Sequence, residues 1–231
     1  MSLSIDSRAC GKVYVVKCIG RIVAGEESHT LEAAFTRAVQ NSNRLVLDVS
    51  EVSRVDSSGM GLLVRFLSRI KSNGGDLRLA APQSFFRTLL QLTKLSSVFK
   101  TYDSEEAAIV SFLKEPAGVT KEAAPAGPLV LFVDQSADLC AFVRKVLNGH
   151  GYEVVSSCRL RDAKLLLNAA DVSYVVLGPN CSHLPSDAVI AELLPFAKGA
   201  KLVPLESGFQ IDDAEKAATE LLQKLGPPAG A

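Results

Sequence analysis

Asp56, Ser57, Ser58 and Gly59 are the residues whose types and spacing best suit chemistry, because they put a hydroxyl where an apolar strand runs into an apolar helix. Leu45-Val46-Leu47 reads as a buried strand and Gly59 to Ile70 as the helix, so Ser57 is expected at a helix N-terminus. Free amide N–H groups and the helix dipole favour an anion there, and a phosphate on Ser57 is locally tolerated. The same phosphate repels an acidic or apolar partner, so the serine can act as a charge switch. Asp56 is placed to orient the Ser57 hydroxyl before modification and to repel the phosphate afterwards, while Gly59 lets a partner backbone or a nucleotide come close. Met60, Leu62 and Leu63 face the core. A plainer reading makes Asp56 and Ser57 helix caps, with Ser58 exposed in the first turn.

Other reactive side chains are more scattered. Asp134 caps the next helix or ends a strand more readily than it holds a cation. His150 stands before Gly151 at a helix end, where it suits the terminal carbonyls, and His29 precedes a helix cap. Cys181 and His183 share a loop, but two ligands do not make a metal site. No Ser-His-Asp set, glycine-rich phosphate loop or pair of catalytic carboxylates is present, so neither a metal nor a cofactor is expected and the chain does not read as an enzyme.

The elements that position these residues follow from hydrophobic periodicity. Val13 to Val23 is a strand with a turn or bulge at Gly20, and Thr30 caps a helix carrying Leu31, Ala34, Phe35, Ala38 and Val39. After the helix ended by Asn73-Gly74-Gly75 come a strand at Leu77 to Ala80, a helix at Phe85 to Leu92, a strand at Phe99 to Tyr102 and a helix at Glu105 to Leu113. The stretch KEPAGVTKEAAPAGP gathers three prolines and loses periodicity, which makes residues 114–128 an exposed linker between a domain at 1–113 and a second at 129–226. Strand and helix alternate again through Leu129 to Val133, a helix to Leu147, Tyr152 to Val155, a helix to Ala169 and Tyr174 to Leu177. A helix near Asp187 to Phe196, a strand at Lys201 to Leu205 and a helix from Asp212 to Leu225 follow, then a disordered tail at 227–231.

At 231 residues, 48% hydrophobic and 22% charged, the chain has enough apolar matter for two cores. Lys plus Arg and Asp plus Glu number 25 each, without a dense basic run, so the composition supports protein partners rather than nucleic acid or an anionic membrane. Five cysteines without CxxC spacing fit reduced thiols, and no leader or spanning segment is read, which together predict a cytoplasmic protein.

Gly20, Leu45 to Asp48, Asp56-Ser57-Ser58-Gly59, Gly74-Gly75 and LLQLTKLSSVF (Leu89 to Phe99) resemble a STAS domain of the anti-sigma-factor antagonist class, over about residues 5 to 113. The resemblance implies a small mixed sheet flanked by helices, with Ser57 as phosphoacceptor and Asp56, Ser58, Gly59 and Met60 supporting it or meeting the partner. It also implies a partner-switching system, in which an anti-sigma factor with serine kinase activity modifies the antagonist and a phosphatase reverses it. Only the unphosphorylated form captures the anti-sigma factor, and ATP belongs to that partner. Many members carry an acidic residue soon after the glycine of the second strand, whereas Gly20-Arg21-Ile22-Val23 has none and Glu26 or Glu27 stands nearest.

Pro128 to about Gly226 resembles a response-regulator receiver, a flavodoxin-like parallel α/β domain, in fold more than in chemistry. A working receiver needs an acidic pair for magnesium and an aspartate after its third strand. Here the pair is Asp134-Gln135 and the acceptor position falls at about Gly178, so a degenerate, shortened domain is expected, with one strand lost and Ser207 or Lys201 as remnants of its other switch residues. Such a domain suits a second docking surface. The apolar stripe Ala217, Ala218, Leu221, Leu222 and Leu225 has two uses, packing on its own sheet or forming a homodimer. A rival reading makes both domains unmodified scaffold modules, and a phosphorelay regulator would require an aspartyl acceptor that is absent.

Overall fold

A computed structural model of the chain describes residues 2–114 and 127–226, apart from Ser207 and Gln210. The chain divides into two compact units, residues 1–120 and 121–231. Residues 115–126 of the expected linker, the expected tail at 227–231 and Ser207 lie outside the described residues.

The first unit is a mixed sheet flanked by helices. Its elements are β1 (Ser4–Cys10), β2 (Val13–Ile22), α1 (Glu26–Asn41), β3 (Arg44–Val55), α2 (Ser57–Ser72), β4 (Asp76–Ala80), α3 (Ser84–Leu92), β5 (Lys100–Tyr102) and α4 (Glu105–Lys114). Strand order is β5-β4-β3-β2-β1, with β1 antiparallel to β2 and the other neighbours parallel. The start of β3, Leu45 to Val49, is buried throughout because both sheet faces are covered, which is why Leu45-Val46-Leu47 reads as a continuous apolar run and Asp48 is buried after it. On one face Leu31 and Phe35 of α1, Leu63 and Phe66 of α2 and Phe86 of α3 pack with Val16, Cys18, Leu45 and Leu47. Phe35 and Phe66 stack with centroids 3.8 Å apart. On the other face α4 is fastened by polar anchors. Arg78 is fully buried, lies 3.6 Å from the centre of the Phe112 ring and donates to the Ser111 hydroxyl. Arg8 grips Glu105 through two hydrogen bonds of 3.1 and 2.6 Å.

Three local expectations change. The segment Ser4–Cys10 forms a strand that the alternation did not reveal, because most of its side chains are not buried and it carries Asp6 and Arg8. Helix α1 begins at Glu26 after Gly25, not at Thr30, whose hydroxyl instead donates back to the Glu26 carbonyl at 2.9 Å within the helix. His29 accordingly sits inside α1. Gly20 lies at a shift in the β2–β3 register, as expected for a bulge. Helix α2 ends as its glycines predicted. Gly74 takes φ 73°, its N–H reaches the Lys71 carbonyl and that of Gly75 the Ile70 carbonyl, both at 3.0 Å.

The second unit contains β6 (Leu129–Val133), α5 (Ala137–Gly149), β7 (Glu153–Ser157), α6 (Leu160–Ala169), β8 (Tyr174–Leu177), α7 (Ser186–Leu193), β9 (Lys201–Pro204) and α8 (Ala214–Leu225). Its strands are all parallel in the order β7-β6-β8-β9. Val143 and Leu147 of α5 and Ala217, Leu221 and Leu225 of α8 share one core with Val130, Phe132 and Val176. The α8 stripe is therefore spent on its own unit. His150 closes α5, with Nδ1 2.8 Å from the Val146 carbonyl.

Candidate functional site

The corner between β3 and α2 is built around Asp56, the N-cap of α2. Its Oδ1 accepts the Gly59 N–H at 2.8 Å and its Oδ2 accepts the Ala24 N–H at 3.0 Å. One carboxylate thus caps the helix and ties down the loop between β2 and α1. These backbone donors, Gly59 first and Ala24 second, hold the Asp56 carboxyl below the usual carboxylate range. Its own N–H donates to the Ile22 carbonyl at 3.2 Å, and Ser53 Oγ reaches the Gly20 carbonyl at 3.1 Å, so the corner rests on the end of β2.

Ser57 and Ser58 are the first two residues of α2, and both are exposed. Their hydroxyls stand beside the first-turn amides, where an added anion meets positive partial charge. The Asp56 oxygens are engaged by backbone amides. Gly59 is buried, and a Cβ there would lie 2.2 Å from the Ile22 carbonyl oxygen, so the glycine lets α2 settle on this chain's own β2. Met60 is buried in the core. The residue that leaves room outside is Gly61, exposed and with nothing within 4 Å of a Cβ built on it. Its position four residues after Ser57 was the available signal in the sequence.

Charge around the corner is uneven. Arg21 pairs with Glu27 at 3.1 Å, which spends one of the two nearby glutamates, while Glu26 is exposed in the first turn of α1. Arg54, just before the cap, is exposed and helps depress the Asp56 carboxyl, though less than the amides do. Arg65 and Arg69 are exposed farther along α2.

In the second unit Asp134 is fully buried. Its Oδ1 accepts the Ser136 N–H at 2.7 Å and its Oδ2 the Asn180 N–H at 2.8 Å. A Cβ on Gly178 would fall 2.2 Å from that Oδ2, so the carboxylate fills the space a side chain at position 178 would enter. Burial, the leading cause, pushes the Cys140 thiol up to about 11 and raises that of Cys181. Among the described residues no three His, Cys, Asp or Glu side chains are grouped to hold a metal ion, and no helix is long and apolar enough to cross a membrane.

Residues 4–108 match the STAS domain family, which identifies the first unit as a STAS-type domain. The chain is 34% identical over 67 residues to a candidate anti-sigma factor antagonist of Thermotoga maritima, covering 29% of this chain and 59% of that protein. It therefore spans about three-fifths of that relative's length. It is 23% identical over 99 residues to BtrV of Bordetella bronchiseptica, also a candidate anti-sigma factor antagonist, covering 42% of this chain and 85% of that one. A solved anti-sigma factor antagonist from Mycobacterium paratuberculosis aligns with 22% identity and a TM-score of 0.44, covering 48% of this chain and 93% of its own.

Proposed function

We propose that this chain is a regulator of the anti-sigma-factor antagonist type, which captures an anti-sigma factor or related serine kinase through the Ser57 corner and releases it when Ser57 is phosphorylated. The observation that carries this reading is the exposure of Ser57 at the start of α2, on a corner already braced by Asp56. In the modification the γ-phosphoryl group leaves the partner's ATP for Ser57 Oγ, the hydroxyl proton is released and ADP remains. The phosphate brings about −1.5 to −2 charge to the exposed corner, and costs an interface several kcal/mol through desolvation and like-charge repulsion. Because Ser57 is exposed and its neighbours are internally bonded, the switch needs no refolding of the corner. A phosphatase resets it, and the system operates in the cytoplasm.

The second unit serves this regulator as a docking module without phosphotransfer. The parallel order β7-β6-β8-β9, with helices between successive strands, supports a shortened flavodoxin-like, receiver-like reading. On that reading β9 is the fourth strand and the lost strand is the fifth. Glycine at 178 supports loss of the acceptor, and Asp134, bonded to two backbone amides, supports loss of metal chemistry.

A pull-down from native cytosol with wild type, Ser57→Ala and Ser57→Asp, with intact-mass analysis of the recovered wild type, tests the reading. A kinase-type partner held by wild type and Ser57→Ala but released by Ser57→Asp, together with phosphate on the wild type, is expected. Identical partners for all three proteins and an unmodified wild type would overturn it in favour of a constitutive scaffold.

A further inference from the structure

We infer that the partner meets the outward face of α2 with an acidic surface, through Arg54, Arg65 and Arg69, and that a phosphate on Ser57 ends this contact by cancelling the positive field. The second half rests on the function proposed above.

The face is defined by exposure. Ser57, Ser58, Gly61, Arg65, Ser68, Arg69 and Ser72 are the exposed positions along one side of α2, and Arg54 precedes its cap. Their spacing of three and four residues makes one stripe. The stripe has no acidic member, and α2 has none in its 16 residues. Arg54, Arg65 and Arg69 enter no ion pair among the described residues, whereas Arg8, Lys17, Arg21, Arg87 and Lys100 of the same unit each hold a carboxylate. The acids nearest the corner offset them only in part. Asp56 keeps its charge while bonded to backbone amides and acts on Arg54 alone of the three, whereas Glu27 holds Arg21 and Glu51 holds Lys17, which leaves Glu26 at the edge.

A chain of net charge zero therefore presents one locally positive helix face. Arginine's planar fork matches carboxylates, and complementary charge sets encounter rate and partner choice more than raw affinity. Gly61, open to solvent between the serines and Arg65, lets an approaching backbone come close enough for the flanking guanidinium groups to reach its carboxylates. A phosphate on Ser57 stands three residues from Arg54 and offsets most of two positive charges.

The test uses the full-length, isotope-labelled chain and defined probes: a glutamate-rich peptide, a lysine-rich peptide of equal length and a short DNA duplex. The glutamate-rich peptide is expected to shift the amide signals of the α2 stripe, and the lysine-rich one to leave them in place. Combined Arg54→Glu and Arg65→Glu substitution, with the remaining spectrum unchanged as a check on folding, is expected to weaken that binding ~10-fold or more. Genetically encoded phosphoserine at position 57 is expected to weaken it by about the same factor. No shifts on the stripe, undiminished binding by the charge-reversed variant, or tighter binding of the duplex at the same residues would each overturn the acidic-partner inference. Unchanged peptide affinity with phosphoserine would overturn the field-cancelling half. None of these readouts depends on a cellular kinase, so failure of the proposed function, seen as an unmodified chain in the pull-down, stays distinguishable.

Discussion

Asp56→Ala removes an acceptor from two backbone amides at once, those of Gly59 and Ala24. Loss of an N-cap typically costs about 1 kcal/mol, and freeing the Ala24 loop adds to it, so the midpoint in urea should fall, whereas Asp56→Asn should keep much of the cap. The pH dependence has a fixed sign. The carboxyl is depressed in the folded chain relative to about 3.9 unfolded, so its contribution is present above the unfolded value and fades as pH falls through the folded one. Wild type should therefore exceed Asp56→Asn in stability near neutrality, and the gap should close in acid. Urea melts of both proteins across that range would measure it, and a gap that widens in acid would refute the assignment. The sequence marked Asp56 and Ser57 as a functional corner but not what Asp56 holds. Its second partner, Ala24, is 32 positions away and contributes a main-chain N–H that no side-chain motif could announce.

Helix α2 contains two glycines whose surroundings are opposite. Gly59→Ala drives a methyl into the Ile22 carbonyl and should destabilise the chain by about 1–3 kcal/mol. Gly61→Ala meets open space in a helix interior and should stabilise it by about 0.5–1 kcal/mol. Thermal melts of the pair test whether the first glycine serves packing, and equal effects would sink that account. In the second unit, Gly178→Asp should fail to create a phosphoacceptor. The new side chain meets the buried Asp134, so incubation with a small phosphoryl donor should yield no acid-labile phosphate, and melting should occur at lower temperature. Strands β6 and β8 and the first part of β3 were legible because continuous apolar runs between turn signals leave few alternatives, whereas the rest of β3 to Val55 alternates with polar residues and was not read. Strand β1 was not, because SIDSRAC carries charges on a half-exposed edge and owes its pairing to β2. The start of α1 was missed because Thr30 looks like a cap by residue type, and only tertiary placement shows its hydroxyl bonded within an existing helix.

Across the whole molecule burial shields three of the five cysteines, while Cys140 and Cys158 are half-buried. Cys10, Cys18 and Cys181 are buried, and burial pushes the Cys18 thiol up to about 12 and that of Cys140 to about 11. The thiolate is the reactive form, so the native chain should take up iodoacetamide slowly at neutral pH, while the unfolded chain is modified at all five positions. Intact-mass time courses give the comparison, and rapid labelling of Cys18 in the native protein would contradict its burial. The grip of Asp56 on both the Ala24 loop and the first turn of α2 has a temporal consequence. A corner fastened at two points offers no slow rearrangement between modification and release. The delay in such a switch would be set by kinase and phosphatase turnover and by partner dissociation, so the circuit's memory would reside in enzyme ratios rather than in the shape of this protein.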